Sequence, residues 1–162
     1  MKQITAEHVT PENFKMFGKV IAVPKDSKPD AQSEIQTYYG QLAIMKCTGS
    51  IQLGICVAKK RENIVDEMEQ HVRTHELLAA LRGDFLVPVA SSVIMDGKAV
   101  PDIEHAIAVR VNQGEGILFD TGIWHWTPYP VGEECDILVG FKTDTPKDDF
   151  ISSKMKEKLV II

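Results

Sequence analysis

A chain of 162 residues with 44% hydrophobic and 25% charged side chains carries enough apolar material for a real core, which excludes extensive disorder. Its 18 basic and 23 acidic residues leave a formal charge of −5, which argues against an electrostatic nucleic-acid binder. The opening MKQITAEHVTPENF has no signal-peptide core and no apolar run reaches membrane-spanning length, so a cytoplasmic protein with a single domain over residues 1–162 is expected.

The first predicted element is a short N-terminal helix. Thr10 is placed to cap it, Pro11 suits its first position, and ENFKMF runs to Gly18, a natural stop. Phe14 and Phe17 would share its buried side. KVIAVP then reads as a strand ended by Pro24, and KDSKPDAQSE as a polar surface excursion or lid. Short β signals follow in QLAIMKC, IQLGICVA, DFLVPVASS, AIAVRVN, GILFD and CDILVGFK, each bounded by turn residues. Such strands predict a mainly β fold, an antiparallel barrel or double-sheet jelly roll. The end, TPKDDFISSKMKEKLVII, reads as a charged helix or turn and a last apolar strand available to a partner chain. Cys47, Cys56 and Cys135 have apolar neighbours and no CxxC spacing, so reduced core thiols are expected.

One segment resists the β reading. ENIVDEMEQHVRTHELLAAL is rich in helix formers, and propensity alone favours a helix over at least its second half. A helix would make His71 and His75 neighbours. A strand would instead put Glu69 and His71 on one face, because alternate residues point the same way.

The spacing of the titratable residues favours the strand. Glu69 and His71 are followed after four residues by Glu76, and Glu76 after six by Gly83. Later, Gly114 is followed after five residues by Asp120, then by Gly122 and, two residues on, His125. These spacings resemble the two cupin motifs, with Glu69 in place of the first histidine and Asp120 in place of the proline. Two imidazoles with one or two carboxylates suit a divalent transition metal such as Ni, Mn, Fe, Co or Zn. The competing reading is a hydrogen-bonded core histidine. Trp124 and Trp126, on either side of His125, would pack on the other face of the strand or wall the mouth of a pocket.

Three longer stretches extend the likeness over most of the chain: PENFKMFGKVIAV, EMEQHVRTHELLAALRGDFLVPVA and AIAVRVNQGEGILFDTGIWHWTPYPV. In order and spacing they resemble the ureidoglycolate lyase family. The resemblance implies a cupin-type β-barrel, a homodimer, and dependence on a metal ion, nickel first. It also implies a lyase that splits ureidoglycolate into glyoxylate and urea in purine and allantoin breakdown. Glu69, His71 and His125 match the family's signature positions, whereas Glu76 fits the general cupin motif. The implied metal ligands are Glu69, His71, Glu76 and His125, and the catalytic candidates are Glu69, Glu76 and His125, with either carboxylate as general base. Gln70 stands where the family has an arginine, and Trp126 where it has a second histidine. The expected partner is a small-molecule substrate, with no nucleic acid and no membrane. Two rivals are another metal-dependent cupin enzyme (an isomerase or dioxygenase on a small sugar or keto acid) and a non-enzymatic ligand-binding cupin.

Overall fold

The computed structural model describes residues 1–162 and is mainly β. Its first half holds β1 (Lys2–Ile4), β2 (Ala6–His8), helix α1 (Pro11–Phe14), β3 (Gly18–Ile21), β4 (Ala31–Gln32), β5 (Thr37–Tyr38), β6 (Ile51–Lys59), β7 (Ile64–Gln70) and β8 (Glu76–Arg82). Its second half holds β9 (Phe85–Ala90), β10 (Ser92–Met95), β11 (Lys98–Pro101), β12 (Ile107–Val111), β13 (Gly116–Phe119), β14 (Trp124–His125), β15 (Tyr129–Pro130), β16 (Glu134–Lys142), helix α2 (Thr145–Asp148) and β17 (Ile151–Ile161).

Two main sheets form a barrel. The larger runs β1-β17-β7-β14-β9-β12-β2, with β15 added against β9, and the smaller runs β3-β13-β8-β16-β6. Pairing is antiparallel except for β1 with β17 and β2 with β12, which are parallel. Only Thr5 separates β1 from β2, so the first residues of the chain reach both edges of the larger sheet and leave it nearly closed. Closure of this kind removes open strand edges.

One apolar cluster fills the space between the sheets, built on Phe14, Phe85, Val87, Val89, Phe119 and Ile137. A second, with Val65, Met68, Trp124, Tyr129 and Leu159, covers the opposite face of the larger sheet. Strand β9 serves both, sending Phe85, Val87 and Val89 to the first and Leu86 and Ala90 to the second. A strand buried on both faces has no polar side, which is why FLVPVA reads as an unbroken apolar run.

The helix-prone segment 63–81 is β7, a turn and β8. Each strand gains antiparallel partners on both sides, β14 and β17 for β7, and β13 and β16 for β8. Two ladders and a buried inner face for each strand override helix propensity, which is a weak preference. Helix α1 begins as expected, with Thr10 Oγ1 accepting from the Asn13 amide and Asn13 Oδ1 from the Thr10 amide. It ends at Phe14, a single turn, and Gly18 instead opens β3. A Cβ at Gly18 would lie 1.8 Å from the Leu118 carbonyl oxygen, so close strand approach requires the glycine there.

Three expectations need correction. QLAIMKC forms no strand; its one ladder contact is a single bridge between Cys47 and Thr74, and Ile44 is exposed. The final strand is not left for a partner chain, because β17 pairs with β7 on one side and β1 on the other. All three cysteines are free, but only Cys135 is fully buried.

Candidate metal centre

The site lies between the sheets, where the two spaced motifs meet. Glu69 and His71 stand at the end of β7, and His125 on β14 pairs directly with Glu69 in the ladder. Glu76 opens β8 in the other sheet. Alternation sends the neighbours Met68 and Trp124 to the second apolar cluster, where the Trp124 indole donates to Ser92 Oγ at 2.9 Å. Trp126 lines the cavity beside His125. Gly122, at φ 77°, takes a left-handed turn that suits glycine, and its amide donates to the His71 carbonyl at 2.6 Å. That bond ties the second motif to the first.

Glu76 Oε2 lies 2.9 Å from His125 Nε2 and 3.1 Å from His71 Nε2. Glu69 Oε1 is 4.0 Å from His125 Nε2. Glu69, His71 and His125 each present a ligand atom within 4.8 Å of the other two, and Glu76 sits closer still to both imidazoles. The His125 ring stacks on Phe119, with centroids 4.5 Å apart, which fixes its plane. A cavity of about 90 Å³ opens onto Glu69, Glu76 and His125 and is walled by Cys56, Leu78, Trp126, Thr127 and Pro128. A larger groove of about 640 Å³ runs along α1 and β3 and contains none of these residues. Size alone would pick the wrong place.

The imidazoles are held so that their lone pairs converge. His71 Nδ1 contacts the Asp149 carbonyl at 2.6 Å, and His125 Nδ1 contacts the Ile123 carbonyl at 3.0 Å. A carbonyl can only accept, so each Nδ1 carries the hydrogen and each Nε2 faces Glu76. Glu76 Oε2 and His125 Nε2 are buried and, despite their close approach, are not aligned as a hydrogen bond. Two lone pairs and a buried carboxylate aimed at one point require protons or a cation. Backbone carbonyls behind ligand imidazoles are the usual outer support of a metal site, so the residues fit a divalent transition ion.

Asp149 is the supporting residue that sequence reasoning missed. Besides its carbonyl on His71, its carboxylate accepts from the Val72 and Arg73 amides at 3.0 and 2.8 Å. It thereby fixes the turn between β7 and β8 that spaces His71 from Glu76. His75 takes no part in the cluster, and its Nδ1 is buried without a partner. Gln70, at the position of the family arginine, is buried near Gly122 and does not line the cavity.

The electrostatics separate the two carboxylates. Burial pushes the Glu69 carboxyl up, His125 partly offsets this, and Glu76 adds to it. Burial also opposes ionisation of Glu76, but the charges of and contacts with His125 and His71 win and hold it down at about 2. For His71, burial disfavours the imidazolium, yet pairing with Glu76 and the Asp149 carbonyl raises it to about 9. A raised histidine stabilises the fold below its ordinary value of 6.5 and loses that contribution as pH climbs through about 9. A depressed carboxylate stabilises above 4.5 and loses its contribution as pH falls through about 2. Metal-free protein is therefore expected to melt highest between about pH 4.5 and 6.5 and progressively lower toward pH 9. Thermal melts across that range, after chelation, check it; a melting temperature that rises from pH 6.5 to 9 would contradict the pairing.

A family model described as "Ureidoglycolate lyase" matches residues 1–161. Comparison with curated protein sequences gives no match. Among solved structures, a Lactobacillus farciminis oxalate decarboxylase in complex with formate is 19% identical, with a TM-score of 0.44, over 63% of this chain and 26% of that one. A Bacillus subtilis oxalate decarboxylase at pH 4.6 is 17% identical, with a TM-score of 0.42, over 65% of this chain and 23% of that one. The chain thus spans about a quarter of the length of these structures. No helix is long and apolar enough to cross a membrane.

Proposed function

Since the chain belongs to the ureidoglycolate lyase family, we propose that it cleaves ureidoglycolate to glyoxylate and urea with the help of one divalent ion between the two sheets. The observation that carries the reading is the convergence of His71 Nε2, His125 Nε2 and the Glu76 carboxylate beside a small cavity that Glu69 also enters. His71, His125 and Glu76 would hold the ion, and Glu69 would complete its surroundings on the cavity side. Nickel is the ion that the family resemblance favours.

The reaction moves one proton. Ureidoglycolate loses the hydrogen of its hydroxyl, the carbon–nitrogen bond breaks as the carbonyl forms, and the departing nitrogen gains a proton. A bound divalent ion would supply Lewis-acid polarisation of the substrate's oxygens. Glu69 is the base. Its raised carboxyl is poised to accept the hydroxyl proton and return it to the urea nitrogen, whereas Glu76, held at about 2, is a poor base. The same proton leaves oxygen and arrives on nitrogen, so no other reactant is needed. Leu78, Trp126 and Val139 wall the cavity with apolar surface and limit water around that transfer.

The test is release of urea and glyoxylate in equal amounts from ureidoglycolate by protein loaded with nickel, manganese, zinc or iron in turn, against chelated protein. Turnover that depends on metal supports the reading. A metal-loaded protein that leaves ureidoglycolate intact contradicts it.

A homodimer in the cytoplasm, built from a single domain, completes the proposal. Ile51, Leu53, Ile55 and Val57 alternate along β6 and are all exposed, with Leu81 exposed as well. Their ladder partners are Lys142, Gly140, Leu138 and Asp136, so they share the outer face of the smaller sheet. Contiguous apolar faces of this kind mark association surfaces, and a second copy of the chain is the proposed occupant. Leu53→Asp is expected to convert a sedimenting dimer to monomer while leaving metal content intact. A wild-type protein that sediments as a monomer would contradict this.

A further inference from the structure

One wall of the cavity that holds Glu69, Glu76 and His125 is the segment 126–128, which joins β14 to β15. The segment belongs to no strand, and no backbone–backbone hydrogen bond outside the strands and helices reaches it. Two of its three carbonyls are instead taken by one side chain. Arg61 donates from Nη1 to the Pro128 carbonyl at 3.0 Å and from Nη2 to the Thr127 carbonyl at 2.6 Å. The guanidinium carbon lies 3.7 Å above the centre of the Tyr129 ring. Tyr129 is itself buried, and its hydroxyl donates to the Ile64 carbonyl at 2.7 Å.

We propose that Arg61 is a positioning residue that sets the 126–128 wall of the cavity and through it the fit of the small polar substrate. This rests on the activity proposed above. A planar fork reaches two successive carbonyls while its face stacks on an aromatic ring; a lysine ammonium, a point charge on a flexible stem, cannot do both. Arg61 stands in the connection between β6 and β7, one strand away from Glu69 and His71. The clamp therefore joins the wall to the strand that carries the proposed base, by way of Tyr129 and Ile64. Arg61 touches neither substrate nor metal in this scheme; it acts through the backbone of Thr127 and Pro128.

The test compares wild type, Arg61→Met and Arg61→Lys, all metal-loaded, by metal content, by kcat and KM on ureidoglycolate, and by acrylamide quenching of tryptophan fluorescence. Trp124 is fully buried and Trp126 only partly, so a change in quenching reports the 126–128 wall. Arg61→Met is expected to keep its metal, to raise KM on the order of tenfold with a smaller change in kcat, and to expose Trp126 to the quencher. Arg61→Lys is expected to fall between. Unchanged KM and quenching, a lower melting temperature with neither altered, or loss of metal would each overturn the proposal. If wild type does not turn over ureidoglycolate, the activity reading fails on its own, and quenching alone decides whether Arg61 holds the wall. Should Arg61→Met not fold, Arg61→Lys carries the same criteria.

Discussion

His125→Ala is expected to lose the metal and keep the barrel. The imidazole supplies one of the two Nε2 lone pairs that meet at Glu76, and no neighbour can replace it. Its ring packs against Phe119 on one face and edge-on against His71, while the apolar cluster between the sheets stands on aliphatic and phenyl side chains. Removing a supporting partner costs about 10–100-fold in metal affinity, and removing a ligand costs more. His71→Ala should behave alike, and His75→Ala should retain its metal, since it lies outside the cluster. Metal content and melting temperature of the three variants, measured together, check this. A His125→Ala protein with full metal and only an earlier melt would make His125 a core residue. Loss of metal from His75→Ala would place the site elsewhere.

Glu69→Gln and Glu76→Gln are expected to fail in different ways. Glu76 approaches both imidazoles more closely than Glu69 does and is held ionised, as a charge-bearing ligand must be. Its amide should bind metal poorly and, through that, abolish turnover. Glu69→Gln should keep its metal and lose about 10²–10⁴-fold in kcat, the range for a missing general base. Metal analysis beside steady-state kinetics separates them. The reverse pattern, with metal lost from Glu69→Gln and kept by Glu76→Gln, would exchange the two roles.

The parts of this site legible in the sequence are those carried by spacing. Glu69 lies near the end of β7 and His71 directly after it, two residues apart in extended chain, so one inward face receives both, and the glycines at 83 and 122 mark left-handed turns that a side chain would strain. Trp124 and His125 follow the same alternation, which is why the tryptophan packs away from the cluster of Glu69, Glu76, His71 and His125. Contacts between distant segments left no such trace. Asp149 reads as part of a charged turn beside Asp148, and only the folded chain buries it against His71. Arg61 likewise lies among charged neighbours, and its carbonyl partners are more than sixty residues away. QLAIMKC shows the opposite error. Its apolar residues suit a strand, but strand propensity reflects packing against neighbours, and there the chain finds only the bridge to Thr74.

The most direct measurement is metal analysis with X-ray absorption on protein purified without added chelator. The expected result is one divalent transition ion per chain, with an imidazole signature in its first coordination sphere that disappears in His125→Ala. A folded protein that takes up no ion when offered nickel, manganese, zinc or iron, and still cleaves ureidoglycolate, would contradict the proposed metal centre.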